Sequence, residues 1–407
     1  MRIVVVLVGV LACSSPHSNA PADALGGTAP DAMPDAMPDA ARDAAADAPR
    51  DAPVDAPPAM RVVTLHASGN PVYVAYRDGS AAWATPARVD SDTYVIEVSG
   101  PYLALAVCTD PIGGSVDAEE YGATPDDGAD LAIGCTVFEP AGPPTISFGG
   151  STTEPGIVAN GRGSASSMTM PWSFDLSATE GPHEIAVVGT SHTAIVRGIF
   201  IGEVNGVGTV DPSVGGAPSI VANEVLTNAT MADTIETRVQ LFTQHEAMTI
   251  FNMESSSAPI VPPSLLLPGE TEAVTVSAFD TLYTRSVETF DPTTTMFELP
   301  PRISGISFDR FAPTVSASWT SPLPMTGEIS MALQNPGDVF GIAAVAVSPA
   351  WLAATGATSL SFDASAAGWQ PAWSTELFDA TFTGVFSITQ TSPDGVITTS
   401  QWQPVFR

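Results

Sequence analysis

The chain has 407 residues and a formal net charge of −31, with 44 acidic side chains against 13 basic ones, all of them arginine. A surface this acidic repels phosphate backbones and anionic membrane surfaces, which argues against nucleic-acid binding. Hydrophobic residues at 44% allow real cores beyond residue 60, and the abundant glycine (34) and proline (37) favour short strands and turns over helices.

Met1 and Arg2 precede an apolar run, Ile3 to Ala12, that ends at Cys13. Crossing a bilayer takes roughly 20 apolar residues, so this run suits the hydrophobic region of a secretory signal instead. Val10-Leu11-Ala12-Cys13 resembles the lipobox of bacterial lipoproteins. The resemblance implies removal of residues 1–12 and acylation of Cys13 with palmitate-type chains, an effectively permanent anchor when more than one chain is buried. Ser14 resembles the second residue of lipoproteins sent on to the outer membrane, facing the periplasm or the cell surface.

Residues 13–60 read as a tether. Pro30-Asp31-Ala32-Met33-Pro34-Asp35-Ala36 repeats every four residues and decays through Arg50-Asp51-Ala52-Pro53. With almost no aromatic or β-branched side chains, nothing here offsets the entropy of ordering the chain, and the prolines favour an extended polyproline state.

The remainder predicts an all-β protein of tandem β-sandwich modules, over 61–140, 141–210, 211–300 and 301–407. In the first, Val72 to Tyr76 runs into Arg77-Asp78-Gly79-Ser80, a hairpin turn signal with Ala81 to Ala84 as the returning strand. Thr93 to Val98 and Tyr102 to Cys108 follow, separated by Gly100-Pro101. The second module echoes this with Trp172 to Leu176 and Gly181-Pro182 before His183 to Val188. Residues 143–210 resemble carboxypeptidase-regulatory or transthyretin-like modules through Phe174, Leu176, Gly181 and His183, a likeness that implies a fold and no activity. In the third, Ile235 to Leu241 alternates strictly. The last block, with Val315 to Trp319, Ile329 to Leu333, Phe378 to Ile388 and a Pro393-Asp394-Gly395 turn, resembles an immunoglobulin or fibronectin type III sandwich. No helical periodicity is sustained anywhere in it.

With Cys13 acylated as the lipobox implies, Cys108 and Cys135 remain as an even pair in an oxidising compartment, preferred as a disulfide over a two-thiol metal site. Between them lie Asp117, Glu119, Glu120, Asp126, Asp127 and Asp130, with Gly128 for a sharp turn. Closely spaced hard oxygens are calcium chemistry, and Asp126, Asp127 and Asp130 are the candidate ligands, although the spacing is not that of an EF-hand. No other cofactor is expected. Trp369 and Trp373 are the candidate carbohydrate platform, with Asp363, Glu376 and Asp379 to bond hydroxyls. Tryptophan in a sandwich is more often core.

Catalytic signals are incomplete. His245-Glu246-Ala247-Met248-Thr249 opens like a zincin helix but has Thr249 where the second histidine belongs. Gly189-Thr190-Ser191-His192-Thr193 lacks the closing glycine of a nucleophile elbow. Gly206-Val207-Gly208 has no third glycine, and His183 and His192 could meet across a hairpin as a metal pair. The expectation is a lipid-anchored, non-catalytic protein for binding, adhesion or envelope structure, with protein or polysaccharide partners. The alternative is an all-β carbohydrate-active enzyme or carbohydrate-binding lipoprotein.

Overall fold

The computed structural model describes residues 59–109, 116–134, 145–201, 206–311, 314–320, 327–334, 342–363, 368–377 and 383–403. Cys13, the Asp/Ala/Pro-rich stretch to residue 58, Cys135 and Asp379 lie outside them. The described chain is all-β, with seven sheets and two short helices.

An eleven-stranded sheet dominates. Its strands run in the spatial order Ala247–Met253, Thr234–Phe242, Thr271–Phe279, Tyr283–Thr289, Ile397–Trp402, Thr383–Thr391, Glu328–Gln334, Ile342–Val347, Val116–Ala123, Tyr102–Thr109 and Tyr73–Asp78. Three of the expected modules therefore share one hydrogen-bonded sheet. The junctions are an antiparallel ladder from Tyr283↔Trp402 to Glu288↔Ile397 and a parallel one from Ile342↔Asp117 to Val347↔Gly122. Pairing these strands satisfies backbone groups that separate sandwiches would leave at exposed edges.

Strands Tyr102–Thr109 and Gly181–Gly189 are each buried on both faces and separate two cores. Along Tyr102–Thr109, Tyr102, Ala104, Ala106 and Cys108 pack with Val63, Leu65, Ile96 and Ile133. Leu105 and Val107 face the other way, against Val315, Trp319, Met331 and Phe386. Along Gly181–Gly189, Ile185 and Val187 join Phe148, Phe174 and Leu176, while Ala186 and Val188 join Val239, Leu241 and Val276. A near-continuous apolar run is what a doubly covered strand requires, because period-2 alternation would expose a polar set to one of the cores. The sequence echo around the two Gly-Pro pairs marks these two strands.

Ion pairs reinforce the packing between segments. The Arg197 guanidinium donates to Glu270 through both terminal nitrogens at 2.7 Å and to Glu184 Oε1 at 2.9 Å. Asp233 accepts from Arg285 at 2.7 Å and Arg302 at 2.8 Å. Burial alone would raise the Asp233 carboxyl, but the Thr230 amide, Arg302 and Arg285 outweigh it and hold it below the ordinary range.

Several local expectations change. Ala81 to Ala84 does not return as a strand; one bridge, Tyr76↔Ala84, is formed, and Tyr73–Asp78 pairs with Tyr102–Thr109 instead. Asp78 spends its carboxylate on Ser99, whose amide and hydroxyl donate at 3.0 and 2.8 Å. The Pro393 to Gly395 turn does close its hairpin, with Gly395 at φ +83°. The strand expected from Phe378 is described from Thr383, with Phe386 and Ile388 in the core. The helices Pro349–Thr355 and Pro371–Leu377 were not anticipated. The first has the usual punctuation: Ser348 caps it by accepting from the Trp351 amide, proline follows, and Gly356 ends it at φ +60°. Seven residues are too few for periodicity to show.

Candidate functional site

The residues expected to bind calcium do not converge. Asp126 pairs with Arg61 at 2.7 Å, and Asp130 lies 3.3 Å from His66 Nε2. Asp127 Oδ2 accepts from the Thr124 amide (2.6 Å), the Thr124 hydroxyl (3.1 Å) and the Ser348 hydroxyl (2.7 Å), closing a turn and tying it to the helix cap. Among the described residues no three His, Cys, Asp or Glu side chains are grouped to hold a metal ion. The acidic stretch is not a solvated loop either. Asp117 and Glu120 are buried in the inner strand Val116–Ala123, and Asp117 Oδ1 accepts from the Ile342 amide at 3.0 Å.

The tryptophan platform is likewise absorbed by the core. Trp373 is 5% exposed and packs with Leu352, Phe362 and Leu377. The rings of Trp369 and Trp373 stand perpendicular, at 89° with centroids 5.3 Å apart, so they share no flat face for a sugar. Trp369 Nε1 donates to Ser374 Oγ at 2.8 Å. Cys108 is buried, and its expected partner Cys135 falls outside the described residues.

The weak catalytic motifs are resolved by their surroundings. His245 and Glu246 sit in the loop between Thr234–Phe242 and Ala247–Met253, on a hairpin and not a helix. His183 and His192 do not meet. His192 Nδ1 lies 2.6 Å from Glu154 Oε1, while Glu154 Oε2 accepts from the Ser191 and His192 amides. Burial opposes ionisation of Glu154, and the His192 ring with those two amides outweighs it, so its carboxyl titrates below the usual range. His183 is hydrogen-bonded through Nδ1 to Glu246 Oε1, both side chains 8% exposed. Its Nε2 faces the Thr179 carbonyl at 2.8 Å, and a carbonyl only accepts, so Nε2 carries a hydrogen.

That pair lies beneath a polar cleft. Strands Gly156–Asn160 and Gly163–Ser167 form a hairpin with Gly161 and Arg162 at its tip. Asn160 fixes the tip, its Oδ1 accepting from the Arg162 and Gly163 amides at 2.9 Å and its Nδ2 donating to the Ser177 carbonyl at 2.9 Å. Glu246 Oε2 takes the remaining amide, Gly161, at 3.1 Å. The cleft this leaves is lined by residues Asn160 to Ser164 together with Ala247 and Thr249, and is an open recess of about 230 Å³. Arg238, on the neighbouring strand, donates from Nη2 to the Oγ1 of the lining residue Thr249 at 3.4 Å. The turn amides are all engaged, so the cleft offers guanidinium groups and hydroxyls.

Sequence reasoning did not find this cleft. Arg162, which lines it, and Arg238 beside Thr249 look like any other arginines in the chain, and only the folded contacts separate those that meet a carboxylate from those that do not. No protein-family model matches the chain, and no curated protein is similar to it in sequence.

Proposed function

We propose that the chain is a non-catalytic lipoprotein of the bacterial outer membrane, anchored through acylated Cys13, that presents a β-sheet body to polysaccharide or protein partners. Val10-Leu11-Ala12-Cys13 and the Asp/Ala/Pro-rich stretch support the anchor, and the body begins with Arg61–Ser68 directly after that stretch. A Cys108–Cys135 disulfide suits the same oxidising compartment. The observation that carries the binding reading is the polar cleft at Asn160–Ser164, whose walls are held by side-chain bonds to every amide of the turn. A rigid, pre-formed recess with unspent polar groups costs little ordering on binding.

Two measurements test this. Metabolic labelling with a palmitate analogue should mark the wild-type chain and leave Cys13→Ser unlabelled and released from membranes; an unlabelled wild type removes the anchor. The full-length protein, screened on a glycan array and against hydrolase substrates, should bind without turnover. Turnover abolished by one acidic substitution would make it a carbohydrate-active enzyme.

A further inference from the structure

We propose that the Arg162–Arg238 cleft is a subsite for a sugar residue bearing one carboxylate, of the uronic-acid type, within a sparsely charged glycan. The proposal rests on the binding reading above and names the ligand class of that cleft. Among the described residues Arg61, Arg197, Arg285 and Arg302 pair with carboxylates. Arg88 is bound to the Asp90 and Ser91 carbonyls and lies over Tyr94, and Arg77 lies over Trp83. Arg162 and Arg238 enter no ion pair there, in a chain whose acids outnumber its bases 44 to 13; Arg162 lines the recess, and Arg238 donates to Thr249, which lines it too.

The chemistry of the recess selects the ligand. A guanidinium presents a planar fork that matches a carboxylate bidentately. Ser164 and Thr249 also line the recess and add hydroxyls, which hydrogen-bond sugar hydroxyls. At about 230 Å³ the recess is smaller than the ~300–1,000 Å³ of sites that enclose a drug-sized molecule, so it takes one residue of a chain crossing it. The net charge of −31 excludes a dense polyanion, because long-range repulsion grows with every added phosphate or carboxylate, whereas one anion pays it once. The hydroxyls and the recess's size favour a sugar over an acidic peptide.

The test is calorimetric titration of the full-length protein with an oligosaccharide carrying one glucuronate among neutral hexoses, and with its carboxyl-reduced counterpart. The uronate form should bind, and the reduced form should bind at least about tenfold more weakly. Arg162→Gln and Arg238→Gln should each weaken the uronate form by about tenfold, the scale of one charge-assisted hydrogen bond. Both side chains are exposed, so thermal unfolding of the variants should match wild type. Equal binding of the two sugars, or wild-type affinity in both variants, overturns the assignment. So does equal affinity for inorganic phosphate or for a synthetic Pro30–Ala40 peptide. Neutral-glycan or protein binding that ignores both substitutions overturns the assignment and leaves the binding reading standing, whereas turnover of the oligosaccharide overturns that reading itself.

Discussion

Glu272 is 1% exposed and sits at the start of strand Thr271–Phe279, where its two carboxyl oxygens accept from the Val261 amide at 2.9 and 3.2 Å. Burial pushes its carboxyl up from 4.5 to about 7, the one amide opposing this only in part. Between those values the folded chain holds a proton that the unfolded chain has lost, so stability falls as pH rises from 4.5 and the loss is complete above 7. At 1.36 kcal/mol per pH unit the penalty reaches about 3 kcal/mol. Glu272→Gln keeps an acceptor for Val261 and cannot ionise. Urea unfolding should therefore show the variant and the wild type diverging steadily between pH 4.5 and 7, to a difference about 3 kcal/mol more favourable to the variant above pH 7. A pH-independent difference, or a wild type that gains on the variant at pH 8, would refute the argument, since the carboxylate would then be better accommodated ionised than neutral.

Asp233→Ala leaves Arg285, 2% exposed, as an uncompensated buried cation and leaves Arg302 with Asp280 alone, so unfolding experiments should show a loss of about 3–5 kcal/mol; under 1 kcal/mol would mean that Arg285 finds another partner. Trp373→Ala should cost about 3–5 kcal/mol through the cavity left between Tyr73 and Trp369, read from chemical denaturation, while leaving glycan binding intact in the folded protein. Lost sugar affinity with unchanged stability would return Trp373 to a ligand role.

The fold class was legible because a strand announces itself locally. Alternation along Ile235 to Leu241, the Asp394-Gly395 turn and the double-faced apolar runs at Tyr102 and Gly181 each require only neighbours within a few residues. Strand partnership was not, because register across Tyr283–Thr289 and Ile397–Trp402 depends on residues more than a hundred positions apart. Composition likewise recorded how many charges the chain carries, but not which of them meet.

The candidate site divides along the same line. The amino-acid order by itself determined the signal-like run, the Val10–Cys13 motif, the acidic Asp/Ala/Pro-rich stretch and the all-β character, all of which are properties of short stretches or of bulk composition. It also singled out His183 and Glu246, each in its own motif and neither as the partner of the other. Only the tertiary structure joined those two beneath the Asn160–Gly163 turn, dispersed Asp126, Asp127 and Asp130 to Arg61, Ser348 and His66, and turned Trp373 inward. A side chain's role follows from the free energy of its contacts. Folding sets the long-range contacts through burial and hydrogen-bond satisfaction across the whole chain, which a short stretch of sequence does not specify.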